Sequence, residues 1–336
     1  MTRRQEVVGS ILKERLGCLP ALPLACAFAP ANIALCKYWG KRDEELNLPL
    51  TSSLSVALGE KGSTTTLSRS TGTKDMVISN GEVMPESSRF AGRVGEFLDL
   101  FRPSHDFYFH VDTHTNVPIA AGLASSASGF AALVMALDAL FAWKLLPLEL
   151  SILARLGSGS ACRSIWQGFV EWEAGKREDG MDSFAHPLPD QWRDLRIGLL
   201  VVSGKEKALS SREAMARTRR TSPFYSLWPQ KVEEDLTAIK SAIQARDIEG
   251  LGRAAESNAA AMHALMLSAW PSISYALPAT LAHWETVWKL RQDGLPLYFT
   301  QDAGPNLKLL FLAKDLPDVL SRFERMEVIV PFGPMI

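Results

Sequence analysis

The feature that most constrains the fold is the segment 116–143, in which small residues are followed by a run of large apolar ones. Residues 125–143 predict one long helix whose apolar side chains pack tightly in a core. Before and inside its first turn, Gly122 and the small residues that follow it let a ligand approach the backbone closely. The segment therefore predicts either a ligand loop or a tightly packed helix start.

The beginning of this helix has the chemistry of an anion site. Ser125 and Ser126 lie in its first turn, where unpaired N–H groups and the positive end of the helix dipole favour an anion. No Gly-Lys-Ser/Thr follows, so the loop is not of the Walker type. A simple N-cap on a packed helix is the alternative, and the segment alone leaves both open.

Composition limits the class of ligand. The chain has 336 residues, 47% of them hydrophobic, and no window of 18 apolar residues, so we expect a soluble globular protein without a membrane span. The net charge of −1 provides no general basic field for nucleic acid, so an acidic ligand needs a local cluster of cations. Four scattered cysteines without a C-x-x-C pair predict reduced thiols in a cytoplasmic protein.

The order of patterns predicts two α+β halves with a cleft between them. A polar, proline-containing stretch at 187–194 suggests the boundary, so the predicted domains are 25–192 and 193–336. Residues 1–24 predict an extension with a short amphipathic helix, since charged residues interrupt the stretch that a signal peptide would need. The predicted strands are 24–30, 53–58, 63–68, 75–79, 107–114, 195–203, 297–301, 306–312 and 327–331, and the remaining predicted helices are 147–157, 208–220, 229–245, 247–267, 277–293 and 316–325.

A cationic patch lies in residues 30–55. Lys37, Lys41 and Arg42 are close in sequence and flank Tyr38 and Trp39. If the segment is extended, alternation places Lys37, Trp39 and Lys41 on one face, where they would form a wall for a multiply charged anion. A solvated loop with ordinary surface lysines is the alternative.

Two further patches carry polar groups. Ser158, Gly159 and Ser160 provide hydroxyl groups and a flexible turn before Arg163, whose planar guanidinium suits a carboxylate but could also hold a loop in place. Asp302 ends a predicted strand before an Ala-Gly-Pro turn, as either a general base or a turn cap.

Other candidate sites are weaker. His110, Asp112 and His114 would share one strand face like metal ligands, but alternation on a solvated strand explains them more simply. Cys162 could be a nucleophile, yet no motif marks a histidine partner.

The four patches together resemble the diphosphomevalonate decarboxylases of the GHMP kinase superfamily. The matching motifs are N-I-A-x-x-K-Y-W-G-K-R-D (32–43), P-x-A-A-G-L-A-S-S-A (118–127), S-G-S-A-C-R-S (158–164) and D-A-G-P-N (302–306), and the match spans about 25–312. The resemblance implies an α+β GHMP kinase fold, with a first half like ribosomal protein S5 domain 2 and a ferredoxin-like second half. It also implies ATP with Mg²⁺, the small-molecule substrate mevalonate 5-diphosphate and a homodimer.

The resemblance implies roles for individual residues. Asp302 would face the tertiary 3-hydroxyl of the substrate, Arg163 would hold the substrate carboxylate, and Lys37 would lie beside the transferring phosphoryl group. The substrate-binding set would be Tyr38, Trp39, Lys41, Ser158, Ser160, Arg163 and Arg219. ATP phosphates would be held by Gly122, Leu123, Ala124, Ser125, Ser126 and Ala127. Mg²⁺ would be bound through those phosphates and Ser125, without a dedicated protein cage.

The implied reaction is phosphorylation of the 3-hydroxyl, followed by loss of phosphate and CO2 to give isopentenyl diphosphate. A mevalonate 5-phosphate decarboxylase, a mevalonate 3-kinase and a silent binder are alternatives. Lys37 together with Asp302 favours decarboxylation, Lys41 and Arg219 favour a diphosphate, and a silent binder would lack Asp302 or the Gly-Ser loop. Thr51 departs from the family, which commonly has Asn there.

Overall fold

The computed structural model describes residues 1–117, 125–205 and 207–333. The helices are α1 (Arg3–Leu12), α2 (Arg89–Leu98), α3 (Ser125–Phe141), α4 (Pro147–Gly157), α5 (Ser211–Thr221), α6 (Trp228–Ala245), α7 (Ile248–Leu267), α8 (Pro278–Gln292) and α9 (Leu316–Arg322). The strands are β1 (Leu24–Cys36), β2 (Lys41–Asp43), β3 (Leu48–Pro49), β4 (Ser53–Arg69), β5 (Met76–Ser79), β6 (Glu82–Val83), β7 (Phe109–Thr115), β8 (Phe169–Trp172), β9 (Ala185–Pro187), β10 (Leu195–Leu200), β11 (Tyr298–Gln301), β12 (Leu307–Leu312) and β13 (Glu327–Ile329).

The first half is a mixed sheet organised around β4. This 17-residue strand pairs antiparallel with β1, with β7 along its second part and with β8 along its first. The sequence pattern predicts two strands there, 53–58 and 63–68. That division is wrong, because β4 continues through the intervening residues and the ladder to β1 absorbs the change of register as a bulge. Helix α3 packs on β1 and β4.

The second half is a four-stranded antiparallel sheet in the order β11-β12-β10-β13. Helix α7 packs against β11 and β12 and also contacts β1 of the first sheet. The two halves share one apolar core, which contains Ile33 and Leu35 of β1 together with Leu251 and Met262 of α7. The α+β class predicted from sequence is confirmed.

Residues before β1 form part of the core of the first half. Thr2 caps α1 through a reciprocal capping box with Gln5. Val7, Val8, Ile11 and Leu12 are buried in the same cluster as the apolar face of α3. Among the described residues, no helix is both long enough and apolar enough to cross a membrane.

Candidate active site

Asp302 lies where the two sheets meet. It directly follows β11, and its side chain, 27% exposed, contacts two lysines that are almost fully buried. Lys37 Nζ lies 2.7 Å from Oδ1, and Lys308 Nζ lies 3.1 Å from Oδ2. Lys37 follows β1 of the first half, whereas Lys308 belongs to β12 of the second. The carboxylate therefore joins residues from both halves of the chain.

Opposing effects determine the charge of this carboxyl group. Burial raises the pKa of Asp302, but the charges of Lys308 and Lys37 and the hydrogen bonds from them outweigh burial and hold the pKa well below its usual range. For Lys37, burial lowers the pKa and the ion pair with Asp302 opposes that shift. Asp302 is thus an ionised, weakly basic acceptor at neutral pH. Such a group can orient a hydroxyl, and it can take the proton only late in a reaction.

Lys37 is held rigidly. Its ammonium group also donates to Ala34 O at 2.7 Å, and its backbone N–H donates to Asn258 Oδ1 of α7 at 2.8 Å. On the same helix, His263 Nε2 lies 3.2 Å from the backbone oxygen of Asp302. Burial, helped by the charge of Lys37, lowers the pKa of His263 to about 4, so this ring is neutral at physiological pH. Helix α7 therefore positions both members of the ion pair.

Arg163 lies in the short 3₁₀ turn Gly159–Ile165 and is 3% exposed. Its Nη1 donates to Ser53 Oγ at 2.6 Å, and its Nε lies 3.4 Å from Asn32 Oδ1. Over the described part of the chain no carboxylate lies within ion-pair distance of this guanidinium. Because a buried cation without an anion is costly, the site suits an anionic ligand group.

The Ser-Gly-Ser turn adjoins Tyr38. A Cβ atom on Gly159 would lie 3.0 Å from Tyr38 Oη, so glycine permits this close approach. The buried Tyr38 hydroxyl has no hydrogen-bond partner among the described residues, and burial raises the Tyr38 pKa. Ser158 Oγ lies 3.4 Å from Ser126 Oγ at the start of α3. Tyr38 and the two hydroxyls thus lie between the helix start and the turn.

Lys37, Trp39 and Lys41 do not lie on one continuous strand, so the alternation expected of an extended segment does not apply. β1 ends at Cys36 and β2 begins at Lys41, and Gly40 between them has a φ of +139°. Trp39 is packed in the core shared by the two halves, 2% exposed. Its contact with a substrate stays a prediction.

Lys41 and Arg219 lie together. Lys41 Nζ contacts Glu44 at 3.0 Å and Asn47 Oδ1 at 2.9 Å, and the Arg219 guanidinium donates to the backbone oxygen of Lys41. Arg212, two turns before Arg219 on α5, is also near: its charge lowers the Lys41 pKa, after burial, which has the larger effect. Arg212 is not among the site residues predicted from the sequence.

The anion loop is only partly described. Gly122, Leu123 and Ala124 lie outside the described residues, as does the side chain of Ser125. Helix α3 begins at Ser125. Ala127, in the first turn of α3, is buried, as expected from the close packing that small residues allow.

Two lysines near Asp302 are not among the site residues predicted from the sequence. Lys308 lies among leucines in β12, and a lysine inside such an apolar strand is a signal that could have identified it. Lys207 donates from Nζ to Ala303 O at 2.8 Å and to Ser211 Oγ at 3.0 Å. Lys37 and Lys308 contact the carboxylate and Lys207 contacts the backbone of the next residue, so the local charge is positive.

The weaker candidates do not form sites. Cys162 is fully buried, and burial raises its pKa to about 12, so it is a thiol and not a nucleophile at neutral pH. Within the described residues, the group of possible metal ligands close enough to share an ion is Glu171, Glu173 and His186, and not the histidines of β7.

Comparisons with known proteins cover both halves. Residues 29–185 match the diphosphomevalonate decarboxylase-like N-terminal domain, and residues 197–329 match the mevalonate 5-diphosphate decarboxylase C-terminal domain. The diphosphomevalonate decarboxylase of Aspergillus fumigatus is 38% identical over 87% of this chain and 77% of its own length. Mevalonate diphosphate decarboxylase from Staphylococcus aureus aligns with a TM-score of 0.85 and 37% identity, covering 93% of this chain and 97% of its own. MDDEF in complex with MVAPP, AMPPCP and magnesium aligns with a TM-score of 0.85 and 39% identity, covering 92% and 97%.

Proposed function

The chain belongs to the diphosphomevalonate decarboxylase family, and we propose that the cleft around Asp302 carries out the reaction for which that family is named. Mevalonate 5-diphosphate and ATP are converted to isopentenyl diphosphate, ADP, phosphate and CO2. The observation that supports this site best is the ion-paired carboxylate itself, which joins Lys37 of the first half to Lys308 of the second.

Asp302 accepts a hydrogen bond from the tertiary 3-hydroxyl of the substrate. Because its pKa is low, it remains ionised and aligns the hydroxyl oxygen for attack, and it takes the proton only as the new oxygen–phosphorus bond forms. Lys37 lies next to this point and offsets the negative charge of the transferring phosphoryl group. Lys308 holds the second carboxylate oxygen and so fixes the orientation of the first.

Arg163 holds the substrate carboxylate during the second stage. Its guanidinium is positioned by Ser53 and Asn32, which leaves donor positions for the carboxylate. Once the 3-phosphate leaves, electrons of the carboxylate–carbon bond form the alkene and CO2 departs. A fixed carboxylate keeps that bond aligned with the leaving group, so Arg163 contributes by positioning the substrate carboxylate.

The diphosphate group is bound by residues of both halves. The partnerless Tyr38 hydroxyl, Lys41 and the hydroxyls of Ser158 and Ser160 provide donors, and Arg219 adds a guanidinium from α5. We assign Trp39 a supporting role beneath this surface, because its ring is packed in the core.

ATP phosphates fit the start of α3. A 17-residue helix begins there beside the Ser126 and Ser158 hydroxyls, and three lysines around Asp302 leave an excess of positive charge. When bound, Mg-ATP supplies the phosphoryl group and neutralises its charge. The segment 122–127 would hold the phosphates, and a serine hydroxyl at position 125 is a ligand of the hard oxygen type that Mg²⁺ prefers.

Three further features belong to the proposal. The boundary between domains would lie between β9 and β10, near residue 192, and residues 1–24 would form an added element. A homodimer is proposed from the family. A cytoplasmic location is supported by four free cysteines, two of them exposed, which suit a reducing compartment.

The experiment that tests this function offers the pure protein Mg-ATP with mevalonate, its 5-phosphate or its 5-diphosphate, and measures ADP, phosphate and CO2. Equal amounts of ADP and CO2 from the diphosphate are expected. ADP without CO2 would indicate a 3-kinase, and CO2 from the monophosphate alone would indicate a monophosphate decarboxylase. Either result would refute the proposal.

A further inference from the structure

Helix α1 lies before the region that matches the family, yet it is firmly attached to the protein. Its apolar face is buried in the core of the first half. Arg3 forms an ion pair with Asp43 and donates to Glu178 O at 2.5 Å. Arg15, just after the helix, donates to Trp143 O at 2.6 Å. The positions of the other α1 side chains are therefore determined by packing.

Arg4 of α1 is directed towards the Ser-Gly-Ser turn. Its Nη2 donates to Leu156 O at 2.6 Å, two residues before Ser158. The same oxygen accepts from Asn47 Nδ2 at 3.1 Å, and Asn47 Oδ1 accepts from Lys41 Nζ at 2.9 Å. A short chain of hydrogen bonds thus connects Arg4 with Lys41, which belongs to the proposed diphosphate site.

Arg93 of α2 reaches the same place. Its Nη2 donates to Gly157 O at 3.2 Å, next to the carbonyl that Arg4 uses. Burial has the largest effect and lowers the pKa of both Arg4 and Arg93; the charge of Arg212 adds to this shift, and the charge of Glu96 opposes it. In the described ranges, neither Arg4 nor Arg93 has a carboxylate within ion-pair distance.

Among the described residues, no carboxylate lies within ion-pair distance of Arg4, Arg93 or Arg212, and Glu96 only partly offsets their charge. Arg212 lies close enough to Arg4 and Arg93 for its charge to lower the pKa of both, and Arg4 likewise lowers the pKa of Arg93. The buried Nε of Arg4 has no hydrogen-bond partner among the described residues. Unpaired, half-buried cations of like charge are unfavourable unless an anion occupies the space between them. A diphosphate has the charge and the number of acceptor oxygens that this cluster lacks.

We propose that Arg4, supported by Arg93, binds the terminal phosphate of the substrate's diphosphate, so that helix α1 forms part of the substrate site. This inference rests on the proposed function and adds to it a source of preference for a diphosphate over a monophosphate. The inner phosphate is held by Lys41, Tyr38 and the serine turn. The outer phosphate is held from the side of α1 and α2.

The test compares the wild type with Arg4→Met, which removes the charge at similar length, and Arg4→Lys, which keeps the charge without the forked donor. Lys13→Gln is the matched control, since it removes an exposed charge next to α1. Titration calorimetry measures the Kd of inorganic pyrophosphate and of orthophosphate, steady-state kinetics give KM and kcat, and thermal unfolding gives Tm.

For Arg4→Met we expect the pyrophosphate Kd and the KM for the diphosphate substrate to rise about 10-fold or more, with kcat changed by less than about 2-fold, because only uniform binding is lost. The orthophosphate Kd and the KM for ATP should change little, and Lys13→Gln should behave as the wild type. Unchanged pyrophosphate binding in a folded Arg4→Met protein overturns the inference.

If Arg4→Met does not fold, Arg4→Lys decides the question: a rise of KM by several fold supports the contact, and an unchanged KM overturns it. The titration also separates this inference from the proposed function. A wild type that does not turn over the diphosphate refutes the function, whereas the effect of Arg4→Met on pyrophosphate binding still decides the role of Arg4.

Discussion

Asp302→Asn tests the central ion pair most directly. Asparagine keeps the shape of the side chain and one carbonyl oxygen, but it removes the charge shared by Lys37 and Lys308. Two charge-assisted hydrogen bonds contribute about 1.5–3 kcal/mol each, and one neutral bond of about 1 kcal/mol can remain. Since Asp302 is partly exposed, we expect the free energy of unfolding to fall by about 2–4 kcal/mol.

The effect on catalysis should be larger than the effect on binding. A positioned carboxylate that accepts a proton contributes about 10²–10⁴-fold to the rate, so kcat should fall by about 10³-fold. Because the diphosphate substrate is bound mainly by Arg163 and the diphosphate contacts, and ATP by the start of α3, KM for both substrates should stay within about 3-fold. Single-turnover release of ADP and CO2, with urea unfolding, measures the two effects separately.

Asp75→Asn is the matched control. Asp75 forms a two-point ion pair with Arg102 and accepts from the backbone N–H of Phe109, and its partners are not in the proposed site. It should lose stability while kcat is unchanged. A folded Asp302→Asn protein with turnover near that of the wild type would refute the assignment of Asp302.

The low pKa of Asp302 also predicts that the stability difference between the wild type and Asp302→Asn depends on pH. The folded pKa of Asp302 lies below the value of about 3.9 expected for an unfolded chain. The stabilisation is therefore complete above the unfolded pKa and is lost as pH falls through the folded one. The difference in unfolding free energy between wild type and Asp302→Asn should be constant above about pH 5 and shrink in more acidic solution.

Three other predictions concern neighbouring residues. Arg163→Lys should lower the ratio of CO2 to ADP produced, because a lysine cannot hold a carboxylate in two-point geometry. Arg155→Lys is the control: this arginine is bonded to backbone oxygens, so the change should lower Tm and leave that ratio unchanged. His263→Gln should flatten the decline of Tm as pH falls towards 4. The folded pKa of His263, about 4, lies below the unfolded value, so the unfolded chain gains a proton first and stability is lost between the unfolded and the folded pKa. Gly159→Ala should raise KM for the diphosphate about 10-fold, because its Cβ would press on Tyr38, and an unchanged KM in a folded protein would show that this approach is unimportant.

Local patterns predicted helices α3 and α4 well, whereas they divided the long strand β4 in two. Helix α3 was expected at 125–143 and is Ser125–Phe141, and α4 was expected and found at 147–157. The strands β8 and β9 were not predicted, because a strand of three or four residues carries too little periodicity to distinguish it from a loop. Helix α2 was missed as well, since Gly92 and Gly95 lower its intrinsic helix propensity. The motifs and their order indicated the family, because a motif consists of residues that are adjacent in sequence and can be recognised without the structure.

What the sequence by itself determined is which residues have the necessary chemistry, since a lysine, an arginine or a glycine-serine turn has the same groups in any fold. What only the tertiary structure decided is which of them meet. Asp302 pairs with Lys37 from 265 residues away, and it also pairs with Lys308, which no motif marked. Trp39 lies in the core that the two halves share, and Arg4 reaches the serine turn because α1 packs on the first half. These contacts depend on how two sheets and their helices pack, and packing is a property of the whole chain.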